Sequence, residues 1–313
     1  MVISWNPSRG PALGVEWELQ LIDAQTRMVR QDADAVLAAL PGLGASGEHP
    51  QIRHELMQST VEIVTGVCST VSEAKADRGK TIGELQIADD RGIVLACAGT
   101  HPVSSWRDAR MAPIARYAEL VEEMQWLARR IQTFGVHVHV GLRGRRKAIP
   151  VVNALAACLP HFLALTASSP FWSGQDTGLA STWAIIFGDL PTAGPPHRLA
   201  SWGEFEEYMA TLLRARTIRS IKEVWRDIRP HPDLGAEIRM FAGLPAAREV
   251  AMAAALSQSL VQLFDAPLDR GYQLPSPSSW VVRDNKWRAT RYGLEATVIT
   301  DESGTTAPLR DEL

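Results

Sequence analysis

The chain has 313 residues, 46% hydrophobic and 21% charged, which is enough apolar content to bury a substantial core. With 32 basic against 35 acidic residues the net charge is −3. Nothing therefore pulls the whole molecule toward nucleic acid or an anionic membrane, and any anion site has to be local.

No secretory pattern opens the sequence, and no apolar run approaches the roughly 20 residues of a membrane span. Cys68, Cys97 and Cys158 are widely spaced and form neither a zinc pattern nor a disulfide framework. They read as small buried residues in a reducing cytoplasm. Residues 15–22 (VEWELQLI) alternate as a strand does. Residues 33–40 suit a short helix closed by Pro41-Gly42, residues 71–91 read as helical, and residues 93–98 as a short buried strand before Gly99. Pro113 can open a helix running to about residue 133. Residues 134–142 alternate again and end at glycine, and residues 148–166 are apolar and helix-compatible. Residues 168–202, rich in Ser, Gly, Pro and Trp, read as a long functional loop. Helix resumes at 204–216, residues 235–241 form a strand, and 246–264 an alanine-rich buried helix. Strands and long helices mixed without a regular βαβ rhythm predict an α+β fold with an antiparallel sheet. A single domain over residues 1–313 is expected, with a polar tail fraying from about 301.

Three strand-like segments each place two ligand-type residues two apart: Glu16-Trp17-Glu18, His137-Val138-His139 and Glu237-Ile238-Arg239. A strand repeats every two residues, so each pair points to one face. Any one pair alone reads equally well as the wet face of an edge strand, and Glu237 with Arg239 as a surface ion pair. Together they make a face that is costly to bury unless cations or ligands compensate it. Oxygen-rich ligands with imidazole suit Mg²⁺ or Mn²⁺, and the arginine suits a phosphate.

Glu55 and Glu62 lie seven apart, an odd spacing that sends them to opposite faces of a regular strand. They can share a metal only across a bulge, bend or turn. Near the C-terminus, a helix would align Asn285, Arg288 and Arg291 as a stripe, which is either a phosphate or carboxylate contact or a solvated face. The glycine-loop nucleotide motifs, the GxSxG elbow and the HExxH zinc motif are all missing from the sequence.

In order along the chain, the set resembles the glutamate–cysteine ligase family 2, the bacterial carboxylate–amine ligases. It comprises Gly14-Val15-Glu16-Trp17-Glu18, the Glu55 to Glu62 segment, Gly99-Thr100-His101-Pro102, Arg116-Tyr117, His137-Val138-His139-Val140-Gly141, Ser168-Ser169-Pro170-Phe171-Trp172, Asp176-Thr177-Gly178, Ala193-Gly194-Pro195-Pro196, Glu237-Ile238-Arg239 and Asn285 to Gly293. The resemblance implies a curved antiparallel sheet flanked by helices, similar to the glutamine synthetase catalytic domain. It also implies ATP, Mg²⁺ (or Mn²⁺), and an amide bond made through an acyl phosphate, on glutamate or a related amino acid. In that reading Glu18, Glu55 and Glu62 share one metal, and Glu16, His137 and Glu237 hold a second. His139 and Arg239 contact the transferred phosphoryl group, and Arg288 and Arg291 add phosphate or carboxylate contacts. The partners are a small-molecule amino acid and amine, with no nucleic acid and no membrane; a homodimer is an open expectation. Residues 168–194 are the candidate for a segment closing over the site.

The chain also departs from the family pattern. Trp183 stands where the resemblance leads one to expect arginine, Arg226 follows Trp225 in place of a second tryptophan, and Phe241-Ala242-Gly243 lacks an expected acidic residue. Two other readings compete: a guanidino-kinase-like phosphotransferase, whose phosphorylated product would persist, and a non-catalytic nucleotide- or metabolite-binding relative.

Overall fold

The computed structural model describes residues 2–8 and 10–313. Among these residues, eleven strands and ten α-helices follow one another as β1 (Leu13–Asp23), α1 (Ala33–Ala38), β2 (Ile52–His54), β3 (Thr60–Val64), α2 (Val71–Glu84), β4 (Ile93–Ala96), α3 (Ala115–Met124), α4 (Trp126–Arg129), β5 (Gly135–Val140), α5 (Arg145–Leu155), α6 (Leu159–Thr166), β6 (Phe171–Trp172), β7 (Gln175–Asp176), α7 (Thr182–Gly188), α8 (Trp202–Arg214), β8 (Ile228–His231), β9 (Gly235–Ala242), α9 (Ala247–Asp269), α10 (Ser279–Tyr292), β10 (Thr297–Ile299) and β11 (Thr306–Pro308). Seven strands form an antiparallel sheet in the order β2-β3-β1-β5-β9-β8, with β4 pairing the outer end of β1. This is the predicted α+β class, an antiparallel sheet flanked by helices.

The two faces of the sheet differ in chemistry. Val15, Trp17, Leu19 and Leu21 of β1, Val136, Val138 and Val140 of β5, and Ile238 and Met240 of β9 are all at most 5% exposed. They pack against α2, α5 and α9. Burying this row and its helical partners removes a large apolar area from water at about 25 cal/mol per Å². The Arg78 guanidinium of α2 lies over the Trp17 ring, and the Trp17 indole donates to the Leu244 carbonyl, which fixes the back layer. The other face carries the paired polar residues.

Several expectations change. β4 is half-exposed rather than buried, since it lies alongside only the last residues of β1. The helix from Pro113 breaks at Gln125, where φ is +50°, giving α3 and α4. The segment 168–202 holds a two-stranded hairpin, β6–β7, and the helix α7, so it is an ordered, packed part of the fold. The tail does not fray: β10 and β11 pair, and Leu309 is fully buried. Residues Arg145–Thr166 are, contrary to the sequence reading, long and apolar enough to cross a membrane; 67% of the apolar window is buried inside the fold, as suits a core helix pair.

Candidate active site

Strand register brings the predicted pairs together. Glu18 of β1 sits directly opposite Glu62 of β3, and Glu16 opposite His137 of β5. His139 faces Glu237 of β9, and Glu237 faces Arg229 of β8. The β5–β9 register shifts by one residue between Val136 and Val138. The odd spacing of Glu55 and Glu62 is resolved by a hairpin. β2 pairs with β3, the chain turns at Met57 to Thr60, and Glu55 follows β2 just before that turn. The two carboxylates thus approach from the two arms of the hairpin, Glu62 on β3 and Glu55 just past β2.

Among the described residues, three groups could each hold a cation. Glu18, Glu55 and Glu62 offer oxygens within 4.8 Å of one another. Glu16, His139 and Glu237 form a second group of the same tightness, and Glu16, Glu62 and His137 a third. The resemblance grouped Glu237 with His137; the geometry groups it with His139 and gives His137 to Glu16 and Glu62. Glu16 lies between the two imidazoles, 2.8 Å from His137 Nδ1 and 3.1 Å from His139 Nε2.

The carboxylates divide by their surroundings. Burial pushes Glu18 well above the ordinary carboxylate range, and the Glu55 charge pushes the same way, although the Gly135 N–H donates to Glu18 at 2.6 Å. Burial and the surrounding Glu16, Glu55 and Glu18 charges push Glu62 well above that range too. Glu55 is raised by burial, partly offset by the Leu56 N–H. Glu16 and Glu237 behave oppositely. Burial resists their ionisation, but the two imidazoles hold Glu16 well below the ordinary range. Arg229 and Arg239 do the same for Glu237. Burial and the Arg239 charge lower His137, whereas Glu237 and Glu16 raise His139 against the cost of its burial. Buried like charges without a cation are unfavourable, so the Glu18–Glu55–Glu62 group has the donor set and the charge imbalance that a hard divalent ion relieves.

Arg239 donates from Nη1 to Glu237, and its guanidinium lies 5.6 Å from the Phe187 ring centroid. Its Nε is buried and has no hydrogen-bond partner among the described residues. Above this face opens a cavity of about 630 Å³. Arg53 and Arg116 stand on its β2–α3 side, Lys222 and Arg229 on its β8 side. Arg53, Lys222 and Arg229 were not anticipated as site residues. Arg229 occupies an alternating strand position, but Pro230 beside it masks the strand; proline is tolerated because β8 is the sheet edge.

Two predicted contacts lie elsewhere. Arg288 binds Asp284 one turn back on α10 and the Thr297 carbonyl. Arg291 is exposed and packs over Tyr292. Neither lines the cavity. Asn285 of the same stripe is buried and exchanges hydrogen bonds with Ile299. Lys286 makes the buried contact of this helix, reaching both oxygens of Asp227 at 2.8 and 2.9 Å.

The chain thus presents an antiparallel sheet flanked by helices, with clustered carboxylates, two histidines and two arginines on one face. The family model described as glutamate–cysteine ligase family 2 matches residues 12–313. A Thermobifida fusca protein provisionally named glutamate–cysteine ligase 2 is 68% identical over 315 residues, covering 100% of this chain and 79% of that protein. A Mycobacterium tuberculosis protein provisionally named in the same way is 43% identical, covering 99% of this chain and 82% of its own length. Among solved structures, the Francisella tularensis glutamate–cysteine ligase in complex with AMP superposes with a TM-score of 0.70 at 10% identity, over 98% of this chain and 76% of that one. The bifunctional glutathione synthetase of Pasteurella multocida superposes with a TM-score of 0.66 at 12% identity, over 90% of this chain and 42% of that one. The chain belongs to the glutamate–cysteine ligase family 2.

Proposed function

We propose that the protein joins a carboxylate to an amine at the expense of ATP, through an acyl phosphate, with glutamate or a related amino acid as the acid. The observation that carries this reading is the convergence of Glu16, Glu18, Glu55, Glu62, His137, His139 and Glu237 on one sheet face beside Arg239, whose buried Nε lacks a partner among the described residues. Family membership and the names of the relatives point the same way.

Glu18, Glu55 and Glu62 would hold one Mg²⁺, and Glu16 and Glu237 with a histidine a second. When bound, the ions neutralise phosphate charge. The chain's own groups do the rest. Glu237 holds the Arg229 and Arg239 guanidiniums over the sheet, where they meet the oxygens of the phosphoryl group in flight. His139, 3.1 Å from Glu16, is the histidine that the geometry groups with Glu16 and Glu237. The acid's carboxylate oxygen attacks the γ-phosphorus and ADP leaves with the electrons of the broken P–O bond. The amine nitrogen then attacks the acyl carbon. Phosphate departs with the former carboxylate oxygen, and the amine's proton passes to solvent.

The test is isotopic. With glutamate labelled by ¹⁸O in its side-chain carboxylate, Mg²⁺, ATP and hydroxylamine, label should appear in the released phosphate and a hydroxamate should accumulate. ADP release without ¹⁸O transfer for any acid that supports turnover would overturn the acyl phosphate. The kinase-like alternative predicts a persisting phosphorylated product, which mass spectrometry separates from an amide.

A further inference from the structure

An acyl phosphate has to be kept from water until the amine arrives. Residues 168–194, where the sequence suggests a closing segment, hold the β6–β7 hairpin and α7 and are packed into the fold. α3 has the opposite character. Its apolar residues Tyr117, Leu120, Val121 and Met124 recur at i, i+3, i+4 and i+7, the spacing of a face that meets a core. All four are only partly buried, and α3 buries no residue at all. Every other helix of ten residues or more buries at least three. Among the described residues, its one extended contact with another helix or strand is with α4, the next element in the chain.

The helix reaches across the mouth of the cavity. β2 and β8 are the two edges of the sheet. On one side the Tyr117 hydroxyl donates to the carbonyl of His54, the last residue of β2, at 3.4 Å. On the other, Glu119 and Glu123 hold the Arg219 guanidinium at 2.9 and 3.1 Å. Arg219 belongs to the β8 side. Its backbone N–H donates to Glu223, and the Lys222 and Val224 carbonyls accept from Arg229 of β8 at 3.2 and 2.5 Å. Tyr117 and Leu120 line the cavity from α3, and Lys222 from the opposite rim. The side chains of Arg219, Glu119 and Glu123 are 55%, 63% and 41% exposed, so this clasp is a weak one in water. The backbone can turn at both ends of α3. Ile114 ahead of it is extended, and Gln125 after it has φ +50° and ψ −120°. Beyond those two residues the chain is tied down. The Ala112 N–H donates to the Leu56 carbonyl, and Arg130 pairs with Asp189.

Resting on the ligase reading above for what is shielded, we infer that α3 is a lid. It hinges at Ile114 and Gln125, is fastened by Arg219 to Glu119 and Glu123, opens to admit substrates and closes to keep water from the acyl phosphate. Unfastening it lifts Tyr117 and Leu120 off the cavity. Water then attacks the acyl carbon, phosphate leaves with the former carboxylate oxygen, and the acid is regenerated without an amide. The clasp also bears on the site itself, because Arg229, held by Glu237, is bonded to the same 222–224 segment that carries the Arg219 side of the fastening.

Amide hydrogen exchange of the full chain tests the lid without any substrate. The α3 amides are expected to exchange at least about tenfold faster than those of α2, a helix docked on the back of the sheet. Arg219→Glu turns both ion pairs into repulsions and is expected to speed α3 exchange by a further threefold or so, leaving α2 unchanged. The reversed set Glu119→Arg, Glu123→Arg and Arg219→Glu is expected to restore the original rate, and thermal melting checks that both variants fold. The chemical arm uses Mg²⁺, ATP, glutamate and hydroxylamine. Arg219→Glu is expected to raise the ADP released per hydroxamate formed at least about twofold, and the reversed set to bring it back. Exchange of α3 as slow as that of α2, no response to Arg219→Glu, or an unmoved ADP-to-hydroxamate ratio while α3 exchange quickens, overturns the inference. The ¹⁸O experiment separates the two readings. Label transfer in a protein whose α3 ignores Arg219→Glu sinks the lid alone, whereas a responsive α3 without label transfer sinks the acyl phosphate and leaves the lid.

Discussion

The two halves of the polar face solve the same problem, buried carboxylates, in opposite ways. Around Glu16 and Glu237 the chain supplies its own counter-charge: two imidazoles for the first, two guanidiniums for the second. Around Glu18, Glu55 and Glu62 it supplies little. Glu18 and Glu62 are direct cross-strand neighbours of like charge, and no lysine or arginine lies within ion-pair distance of any of the three among the described residues. The difference teaches that one half is compensated by the protein's own charges, while the other carries the uncompensated charge on which the proposed cation would act. Both halves sit on adjacent strands, so the contrast comes from side chains and not from backbone.

The sharpest way to break the comparison is to make the same change in each half. Glu237→Gln leaves Arg229 and Arg239 buried without a partner charge, and a loss of about 3–5 kcal/mol in folding stability is expected. Glu62→Gln removes a like-charge contact, and the metal-free protein is expected to gain about 0.5–1 kcal/mol. It should also lose its thermal stabilisation by Mg²⁺ and at least about 100-fold in turnover, since altering even the groups that support a metal ligand costs 10–100-fold. Urea melts with and without Mg²⁺ measure both. Destabilisation by Glu62→Gln in the absence of metal would mean that the acidic trio is already compensated.

A pH series separates the halves without mutation. Glu18, Glu55 and Glu62 have folded values raised above their unfolded ones. Their contribution is full below the ordinary carboxylate value and is lost as pH rises through the raised ones. Glu16 and Glu237 are lowered, so their contribution is present above the ordinary value and is lost as pH falls toward the lowered ones. The metal-free protein should therefore be most stable in a weakly acidic window. Mg²⁺ competes with protons on the trio, so the rise in Tm that it produces should grow from acid to neutral pH, with protons released on binding. A Mg²⁺ effect that is flat with pH would place the ion elsewhere.

The same contrast explains what the sequence revealed. Glu16-Trp17-Glu18, His137-Val138-His139 and Glu237-Ile238-Arg239 were legible because a strand has period two and the intervening residues are apolar. Their register was not legible, since pairing across strands depends on contacts more than a hundred residues apart, as for Glu16 and His137. Glu55 and Glu62 stayed ambiguous because their turn, Met57-Gln58-Ser59-Thr60, contains no glycine, proline or asparagine to mark it. Trp183 stood out as a departure from the family pattern. Its stacking on Phe187 became readable only once α7 placed the two one helical turn apart, inside a stretch whose Ser, Gly and Pro content resembles a loop. The compensating arginine Arg229 was hidden by Pro230, a residue that argues against a strand everywhere except at an edge.

The smallest expected effect concerns the residues whose composition promised most and whose position delivers least. Arg288 and Arg291 share a helix face with Asn285, and on sequence alone that stripe suits a phosphate. The stripe lies outside the cavity lining. On the same helix Lys286 buries its ammonium on Asp227, a fully buried residue just ahead of β8, Asn285 bonds Ile299, and Arg288 reaches Asp284 and Thr297. Arg288 is half-buried and pairs at i,i+4 with a partner more exposed than itself, a geometry worth about 0.3–0.5 kcal/mol. Arg288→Ala and Arg291→Ala should each shift stability by no more than about 0.5 kcal/mol, with the KM for ATP unchanged within error. A KM increase in either variant, with Mg²⁺ stabilisation retained, would mean that α10 turns toward the cavity when nucleotide binds.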